Sequence, residues 1–254
     1  MESLTRQARL AHGDAWQVIG SIHAEHGRGR VARVPGGLLM ASGLPHPQYN
    51  NVDVLDPGLV DVAELVRWYD DVGVPRGARV PAGAPWRAGR RLFGKRLMAM
   101  PVDRLVPPAA DDRVEVSTAA PGDLGTVARL DVSGFGGDAD GQRPWIGPLL
   151  GSDQVTVAIA TWDGVPAGTG YAVRSDGLAG PAVYVAGIGV DPAYRRRGIA
   201  ARLSAWLVAQ AGPDRLAHLH PNTDDAARIY ERLGFVEVPG FDVYVDITLP
   251  DRRT

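Results

Sequence analysis

The stretch PAVYVAGIGVDPAYRRRGIAARL, residues 181–203, contains a strand, a turn and a helix start whose order decides the fold. An apolar, strand-forming run is interrupted by Gly187 and Gly189, and glycine inside a strand often marks a bulge or a close backbone approach. Pro192 then ends the strand, because proline cannot donate to a sheet ladder. After three arginines, Gly198 opens a run of small and apolar residues that predicts a helix.

This arrangement is suited to binding phosphate groups. The first N–H groups of a helix have no partner inside it, and the helix dipole adds positive charge at the same end. Gly198 allows a sharp turn, and Ala200 is small enough for phosphate oxygens to approach the backbone amides. The pattern predicts a pyrophosphate site with arginine charge at its rim. The sequences of a P-loop and of a dinucleotide-binding glycine loop do not occur in the chain.

Composition excludes several classes of protein. The 254 residues are 45% hydrophobic and 22% charged, which is ordinary for a globular protein. A formal net charge of -2 gives no general attraction for nucleic acid or an anionic membrane. The absence of cysteine excludes thiolate nucleophiles, and the six histidines show no metal-ligand spacing. No apolar run approaches the roughly 20 residues that span a bilayer, so we expect a cytoplasmic protein that binds no metal, nucleic acid or membrane.

A segment rich in proline and aspartate at residues 102–116 predicts two domains, at residues 1–110 and 111–254. The second half predicts a strand, two helices, three strands, a helix, a strand, a helix and two closing strands at residues 235–238 and 241–247. This order indicates a mixed α/β sheet.

The first half gives a less regular pattern. It predicts strands at residues 31–43 and 50–57, a helix at 60–73, a strand at 76–83, a helix at 84–97 and a strand at 98–105. Laid beside the second half, RRLFGKRLMAMPVD places Phe93 opposite Tyr230 and predicts a weak internal duplication.

The six residues Arg195-Arg196-Arg197-Gly198-Ile199-Ala200 fit the signature Q/R-x-x-G-x-G/A, and the chain therefore resembles the GCN5-related N-acetyltransferase (GNAT) family. VDPAYR before the signature and RIYERLGFVEV after it are also similar to that family. The resemblance covers roughly residues 113–249. It implies a mixed, mostly antiparallel central sheet flanked by helices, and two such domains in tandem, of which the first is degenerate because it lacks the signature.

The resemblance implies acetyl-CoA as a cosubstrate and no metal. Backbone amides of residues 196–201 would hold the pyrophosphate. The bulged strand would pair with the pantetheine arm, and one of its N–H groups would polarise the thioester carbonyl, where negative charge develops. The residues implied in cofactor binding are Ile188, Gly189, Val190, Arg195, Arg196, Arg197, Gly198, Ile199, Ala200, Ala201, Asn222, Ala227 and Tyr230.

Tyr230 is the predicted catalytic residue. It lies in Tyr-x-x-x-Gly-Phe, where the family commonly has a tyrosine that protonates the departing thiolate; the alternative is a core tyrosine on an amphipathic helix. Asn222 stands eight residues before this tyrosine, whereas the family has seven. Ala226 or Ala227 is therefore the alternative cofactor contact.

The general base is left open by the sequence. The strand at residues 181–190 lacks the glutamate that many relatives carry there. Tyr184 could hold a water molecule. His218 and His220 alternate onto one face of the next strand, and each is either a candidate base or only a polar strand residue. Three further residues follow the first helix of the second half, in a segment that lines the acceptor pocket in this family or forms a surface loop: Asp138, Asp140 and Trp145.

The predicted function is transfer of an acetyl group from acetyl-CoA to a primary amine of a small molecule. Without a cysteine nucleophile, the amine would attack the thioester directly in a ternary complex. The alternatives are a catalytically silent acyl-CoA-binding or regulatory module and a protein or peptide N-acetyltransferase. We expect a monomer built as a pseudo-dimer, or a homodimer.

Overall fold

The computed structural model describes residues 2–213 and 215–248. Six α-helices and eleven strands lie in these residues. In chain order they are α1 (Glu2–Glu25), β1 (Arg30–Val34), β2 (Gly37–Ala41), β3 (Asn50–Val54), α2 (Val62–Val72), β4 (Gly77–Pro81), β5 (Arg90–Pro101), β6 (Val114–Thr118), α3 (Leu124–Phe135), α4 (Ala139–Leu150), β7 (Val155–Trp162), β8 (Val165–Gly177), β9 (Gly180–Val190), α5 (Ile199–Ala209), β10 (Leu216–Leu219), α6 (Asp224–Arg232) and β11 (Val236–Val245).

All eleven strands form one sheet, in the order β1-β2-β3-β4-β11-β5-β10-β9-β8-β7-β6. The β3–β4 and β9–β10 pairs are parallel and the other pairs are antiparallel. The predicted mixed, mostly antiparallel sheet flanked by helices is confirmed. Strand β5, from the first half, lies between β10 and β11 of the second half, so the sheet continues across the predicted domain boundary.

Helix α2 is the clearest case of a helix set by local sequence. The Asp61 side chain accepts hydrogen bonds from the N–H groups of Ala63 and Glu64, and Gly73 ends the helix in the left-handed conformation at φ 74°. Tyr69 lies on the buried face, and its hydroxyl donates to the Met40 carbonyl at 3.1 Å. The predicted helix at residues 60–73 is confirmed.

Helix α1 was not predicted from the sequence. It packs across β8 and β9 of the second half and β1 and β2 of the first. Its buried face includes the polar residues His12, Asp14 and His23. An apolar period of 3.6 residues does not detect such a face, because polar side chains interrupt the apolar stripe.

The helix predicted at residues 84–97 is wrong. Residues 90–101 form strand β5, which receives backbone hydrogen bonds from β10 on one side and β11 on the other. Pairing with two distant strands overrides the local pattern. The proposed duplication alignment fails for the same reason, because Phe93 is a 42% exposed strand residue and Tyr230 is a buried helix residue.

The two closing strands predicted at the end of the chain are one strand. Strand β11 runs through Val236–Val245, and its pairing with β5 shifts register between Val238 and Phe241, at Pro239-Gly240. Pro239 and Gly240 were therefore read as a break where the structure has an irregularity within one strand. The last six residues of the predicted second domain, 249–254, lie outside the described part.

A buried ion pair lies where α1 meets the sheet. Arg79 Nε and Nη2 donate to the two carboxylate oxygens of Asp53 at 2.9 and 2.8 Å, and both residues are almost fully buried. The guanidinium stacks on Trp16 with its central carbon 3.8 Å from the ring centroid. His12 Nε2 lies 3.7 Å from Asp53 Oδ1. Burial raises the pKa of Asp53, and Arg79 opposes this shift.

No helix in residues 2–213 and 215–248 has the length and apolar character needed to cross a membrane.

Replacing Asp53 with Asn should lower the free energy of unfolding by about 3–5 kcal/mol, because Arg79 would keep its buried charge without an anion. The control is Asp246→Asn, which removes the exposed pair between Asp246 and Arg90 and should cost about 0–1 kcal/mol. Urea denaturation of both variants measures the difference. Equal losses in the free energy of unfolding for the two substitutions would show that the buried pair stabilises the fold no more than the exposed pair does.

Candidate functional site

Strand β9 contains a bulge at its second half. Its partner β8 pairs Thr169 with Gly189 and Tyr171 with Ala186, so Gly187 and Ile188 together face a single residue of β8. Gly187 has a φ of 63°, and a Cβ atom there would lie 2.7 Å from the Tyr171 ring. The strand glycines thus allow a bulge, as their position in the sequence predicts.

The sheet opens beside this bulge. Parallel pairing between β9 and β10 ends at Val185 and Leu219, where β10 itself ends. From Ala186 to Val190, β9 keeps β8 as its ladder partner and its other edge faces a cleft.

Helix α5 begins at this opening. Gly198 is its first boundary residue, with φ 76°, and supplies no side chain to cap the helix. The first hydrogen bond into the helix runs from the Arg202 N–H to the Gly198 carbonyl at 3.2 Å. The N–H groups of residues 199–201 therefore point out of the helix end, where they can bind an anion.

The three arginines have three different positions. Arg195 donates to the Val190 carbonyl at 3.2 Å and to a carbonyl of α3, which ties the turn to its neighbours. Arg196 adopts a left-handed φ of 62° in the turn. Arg197 stacks on Trp162 with its guanidinium carbon 4.8 Å from the ring centroid. The run is thus a turn structure, and its charges do not form one basic patch.

The cleft at the start of α5, called here the α5 cleft, has a volume of about 710 Å³. Nine of the predicted cofactor residues line it: Ile188, Gly189, Val190, Arg195, Arg196, Gly198, Ile199, Ala200 and Ala201. Residues of the segment between the halves, of α3, of the turn before α5 and of α6 with its two caps complete the lining: Val106, Pro107, Pro108, Gly134, Tyr194, Thr223, Asp225, Ala226, Ile229, Arg232 and Leu233.

Four predicted residues lie outside this lining. Arg197 is turned onto Trp162, and Asn222 is exposed while its neighbour Thr223 lines the cleft. Ala227 is buried in the core, and Ala226 lines the cleft in its place.

The fourth is Tyr230, which is 7% exposed and packs edge-on against Phe235. Its neighbours on α6, Ile229 and Leu233, line the α5 cleft. Burial raises the pKa of Tyr230 to about 12, so the hydroxyl keeps its proton at neutral pH.

A second cavity, called here the aromatic cavity, has a volume of about 240 Å³ and lies between the two halves. Its lining residues are Trp16, Gln48, Tyr49, Asn51, Arg79, Phe93, Lys95, Asp131, Phe135, Gln142, Trp145, Tyr171, Gly187 and Val243. It lies next to the α5 cleft at the bulge, where Gly187 lines the aromatic cavity and Ile188 lines the α5 cleft. On α3, Phe135 lines the aromatic cavity and Gly134 the α5 cleft.

Four titratable side chains of the aromatic cavity have shifted pKa values, and burial raises the pKa of two of them, Tyr49 and Tyr171. Burial raises the pKa of Asp131 to about 6. Burial, and then the nearby Arg79 charge, lower the pKa of Lys95 to about 7. In each case burial disfavours the charged form, and shifts of this kind are common at functional sites.

The predicted base candidates on β9 and β10 do not line either cavity. Tyr184 stacks on His218 at 5.1 Å between ring centroids, and His218 is fully buried with a pKa that burial lowers to about 3. His220 Nε2 lies 3.1 Å from His12 Nδ1. The two strand histidines share a face, as predicted, but that face packs against α1.

The three residues expected around the acceptor pocket separate in the structure. Trp145 is buried in the aromatic cavity and stacks on Tyr49 at 4.4 Å. Asp138 instead caps α4 by accepting from the N–H groups of Asp140 and Gly141. Asp140 is exposed and pairs with Arg143.

Sequence reasoning missed Asp131 and Lys95. A signal for Asp131 was present, because it follows the buried residues Val127 and Leu130 on the core-facing side of a predicted helix. Lys95, the one lysine of the chain, fell in the segment wrongly assigned to a helix. Residues 2–213 and 215–248 contain no group of His, Asp or Glu arranged to hold a metal ion.

A mixed sheet whose bulged strand opens beside an uncapped helix start defines the class of α/β proteins that includes the N-acetyltransferases. The model of the acetyltransferase (GNAT) family matches residues 132–235, which span β9, α5 and α6. Residues 132–235 are therefore similar to a GNAT acetyltransferase domain. A search of curated proteins found no match.

Solved structures similar to the chain extend over both halves. A GCN5-related N-acetyltransferase from Kribbella flavida is 20% identical, with a TM-score of 0.68 over 94% of this chain and 95% of that one. A putative GNAT acetyltransferase from Novosphingobium aromaticivorans is 18% identical, with a TM-score of 0.57 over 91% and 96%. A tandem GNAT protein from the clavulanic acid biosynthesis pathway is 14% identical, with a TM-score of 0.58 over 96% and 95%. At these identities the likeness concerns the fold. The degenerate character of the first half stays a prediction.

Replacing Gly134 with Ala should lower the free energy of unfolding by about 1–3 kcal/mol, because its Cβ would lie 2.7 Å from Gly189 Cα and force α3 away from the bulge. The same change at Gly125, in the same helix, meets its nearest atom at 3.6 Å and should stabilise by about 0.5–1 kcal/mol. Thermal and urea unfolding of both variants test this. Stabilisation by Gly134→Ala would contradict a close contact at the bulge.

Proposed function

We propose that the protein is an acetyl-CoA-dependent N-acetyltransferase for a small-molecule amine. The α5 cleft holds the donor and the aromatic cavity holds the acceptor. The observation that carries this proposal is that neighbouring residues at the bulge of β9 line the two spaces, Gly187 the aromatic cavity and Ile188 the α5 cleft.

The donor side follows from the α5 cleft. The free N–H groups of residues 199–201 bind the pyrophosphate of acetyl-CoA, with Arg195 and Arg196 at the rim. The free edge of β9 at residues 186–190 offers backbone groups to the pantetheine arm, and an N–H at the bulge polarises the thioester carbonyl.

The acceptor side supplies the base that the sequence left open. Asp131 takes the proton of the ammonium group, and the neutral amine attacks the thioester carbon. A C–N bond forms, the C–S bond breaks, and the thiolate receives a proton from Tyr230. The attacking nitrogen loses its second proton as the amide forms, and this proton restores the Tyr230 hydroxyl. The products are an amide, free CoA and the protonated Asp131, which returns its proton to water.

The first half completes the acceptor site. Trp16, Tyr49, Arg79, Phe93 and Lys95 come from residues 1–110, and the second half supplies Asp131 and Trp145. We propose that residues 1–110 and 111–254 are two GNAT-like domains in tandem, and that the first serves as a wall of the acceptor site and binds no donor.

The direct test uses calorimetry with acetyl-CoA and release of free thiol with a panel of amines. The chain has no cysteine, so all the thiol detected comes from CoA. Binding of acetyl-CoA without turnover of small amines or peptides would favour the silent acyl-CoA-binding module. Turnover of peptides alone would favour the peptide acetyltransferase.

Replacing Tyr230 with Phe should lower kcat by about 10²–10⁴-fold, because the departing thiolate loses its proton donor. The affinity for acetyl-CoA and the melting temperature should change little, since the ring remains in place. Tyr194→Phe is the control, because Tyr194 lines the α5 cleft but has no proposed part in proton transfer, so this variant should retain kcat. If both variants keep full kcat, Tyr230 is a core residue.

The rate should also depend on the protonation of Asp131. With a pKa of about 6, its carboxyl group is protonated below that pH and cannot accept a proton, so kcat/KM should rise through pH 6 and then level off. Asp131→Asn should remove this limb and lower the plateau. Asp140→Asn, on the exposed side of α4, should keep both. Persistence of the limb in Asp131→Asn would assign it to another group.

A further inference from the structure

The charges of the aromatic cavity are not balanced among themselves. Three charged residues line it: Arg79, Lys95 and Asp131. Asp53 does not line the cavity, but both of its carboxylate oxygens accept hydrogen bonds from Arg79, so the Arg79 charge is compensated. In residues 2–213 and 215–248, neither Lys95 nor Asp131 has an ion-pair partner or a side-chain hydrogen bond. The cavity thus offers one unpaired cation and one unpaired anion.

A buried charge without a partner raises the free energy of the folded protein. An ionised group that leaves water without a partner loses solvation that neighbouring protein atoms do not replace. The pKa shifts of Asp131 and Lys95 both have burial as their largest cause. A ligand that brings a positive group to Asp131 and a negative group to Lys95 would remove both costs at once.

The aromatic residues that line the cavity indicate the character of the uncharged part of the ligand. Trp145 and Tyr49 stack with their planes 11° apart, and Tyr171 and Phe135 lie beside them on the side of the bulge. Such walls favour a flat or apolar group. The volume of about 240 Å³ equals the space of roughly eight water molecules at about 30 Å³ each, which suits a small metabolite.

We propose that the ligand of the aromatic cavity is a small zwitterion with an aromatic or apolar body. Its amine lies at Asp131 and its carboxylate, or another anionic group, lies at Lys95. The assignment of this ligand as the acceptor rests on the proposed function. In that function, the amine at Asp131 receives the acetyl group. A simple amine would leave Lys95 unpaired, and a diamine would place a second cation beside it.

The binding test uses matched sets of ligands. Each set holds an aromatic amino acid, its decarboxylated amine and its deaminated acid, for example phenylalanine, phenethylamine and 3-phenylpropionate. Calorimetry of the full-length protein should show the amino acid binding about tenfold or more tightly than either counterpart, because each charge-assisted contact contributes. Equal or tighter binding of the decarboxylated amines, or no binding of any amino acid, would overturn the proposal.

The variant Lys95→Met keeps an unbranched four-atom stem and removes the charged amino group. We expect the Kd of the amino acid to rise about tenfold or more, while the Kd of the matching amine stays the same or falls. Lys95→Arg should restore much of the affinity. Arg67→Met is the control, because Arg67 is exposed on α2 and lines neither cavity. An unchanged preference in Lys95→Met would overturn the role of this lysine.

A separate titration with acetyl-CoA distinguishes this proposal from the proposed function. If acetyl-CoA fails to bind while the amino acid binds in a Lys95-dependent way, the donor assignment fails and the ligand class stands. If acetyl-CoA binds and is consumed with amines that lack an anionic group, the transferase stands and the zwitterion is wrong. Because Lys95 lies outside the α5 cleft, Lys95→Met should leave acetyl-CoA binding unchanged.

Discussion

The pairing of β5 with both β10 and β11 is the constraint on which the rest of the molecule depends. A strand from the first half is hydrogen-bonded on each side to a strand of the second, and this joins eleven strands into one sheet. It places Phe93 and Lys95 beside β11, and α1 then covers the junction with its buried polar face. Between the halves a cavity remains, with side chains from both. The two halves therefore cannot separate without breaking the sheet and removing that cavity.

The bulge of β9 lies between the α5 cleft and the aromatic cavity. The extra residue ends regular pairing beside Gly187, and β10 is too short to follow β9 beyond Val185. The resulting gap exposes backbone groups of β9 next to the uncapped start of α5. Ser133 of α3 donates to Asp191 at 2.9 Å, which fixes the helix against the turn after β9. In the proposed function, the donor and the acceptor bind on the two sides of this bulge. The backbone there is held by β8, by α3 and by the turn after β9. Such a rigid backbone suits a site that must position two reactants.

The sequence predicted the parts that depend on neighbouring residues. The turn at Pro192, the start of α5 at Gly198 and the end of α2 at Gly73 follow from residues within one helical turn, and the structure has all of them. The state of residues 90–97 depends on strands more than 100 positions away, so a charged segment containing Gly94 was read as a helix. The aromatic cavity is harder still. Asp131 and Lys95 lie on elements whose mutual placement is set by the whole sheet, and single charged residues leave no spacing pattern to detect.

The division of charges between the halves gives the first half a chemical part in the site as well as a structural one. The unpaired cation, Lys95, comes from the first half, and the unpaired anion, Asp131, comes from the second. The second half carries the α5 turn and Asp131, the proposed proton acceptor. In the proposed roles, the second half carries out the chemistry and the first half selects the acceptor. Changes on β5 can then alter which amine is used without disturbing the donor cleft.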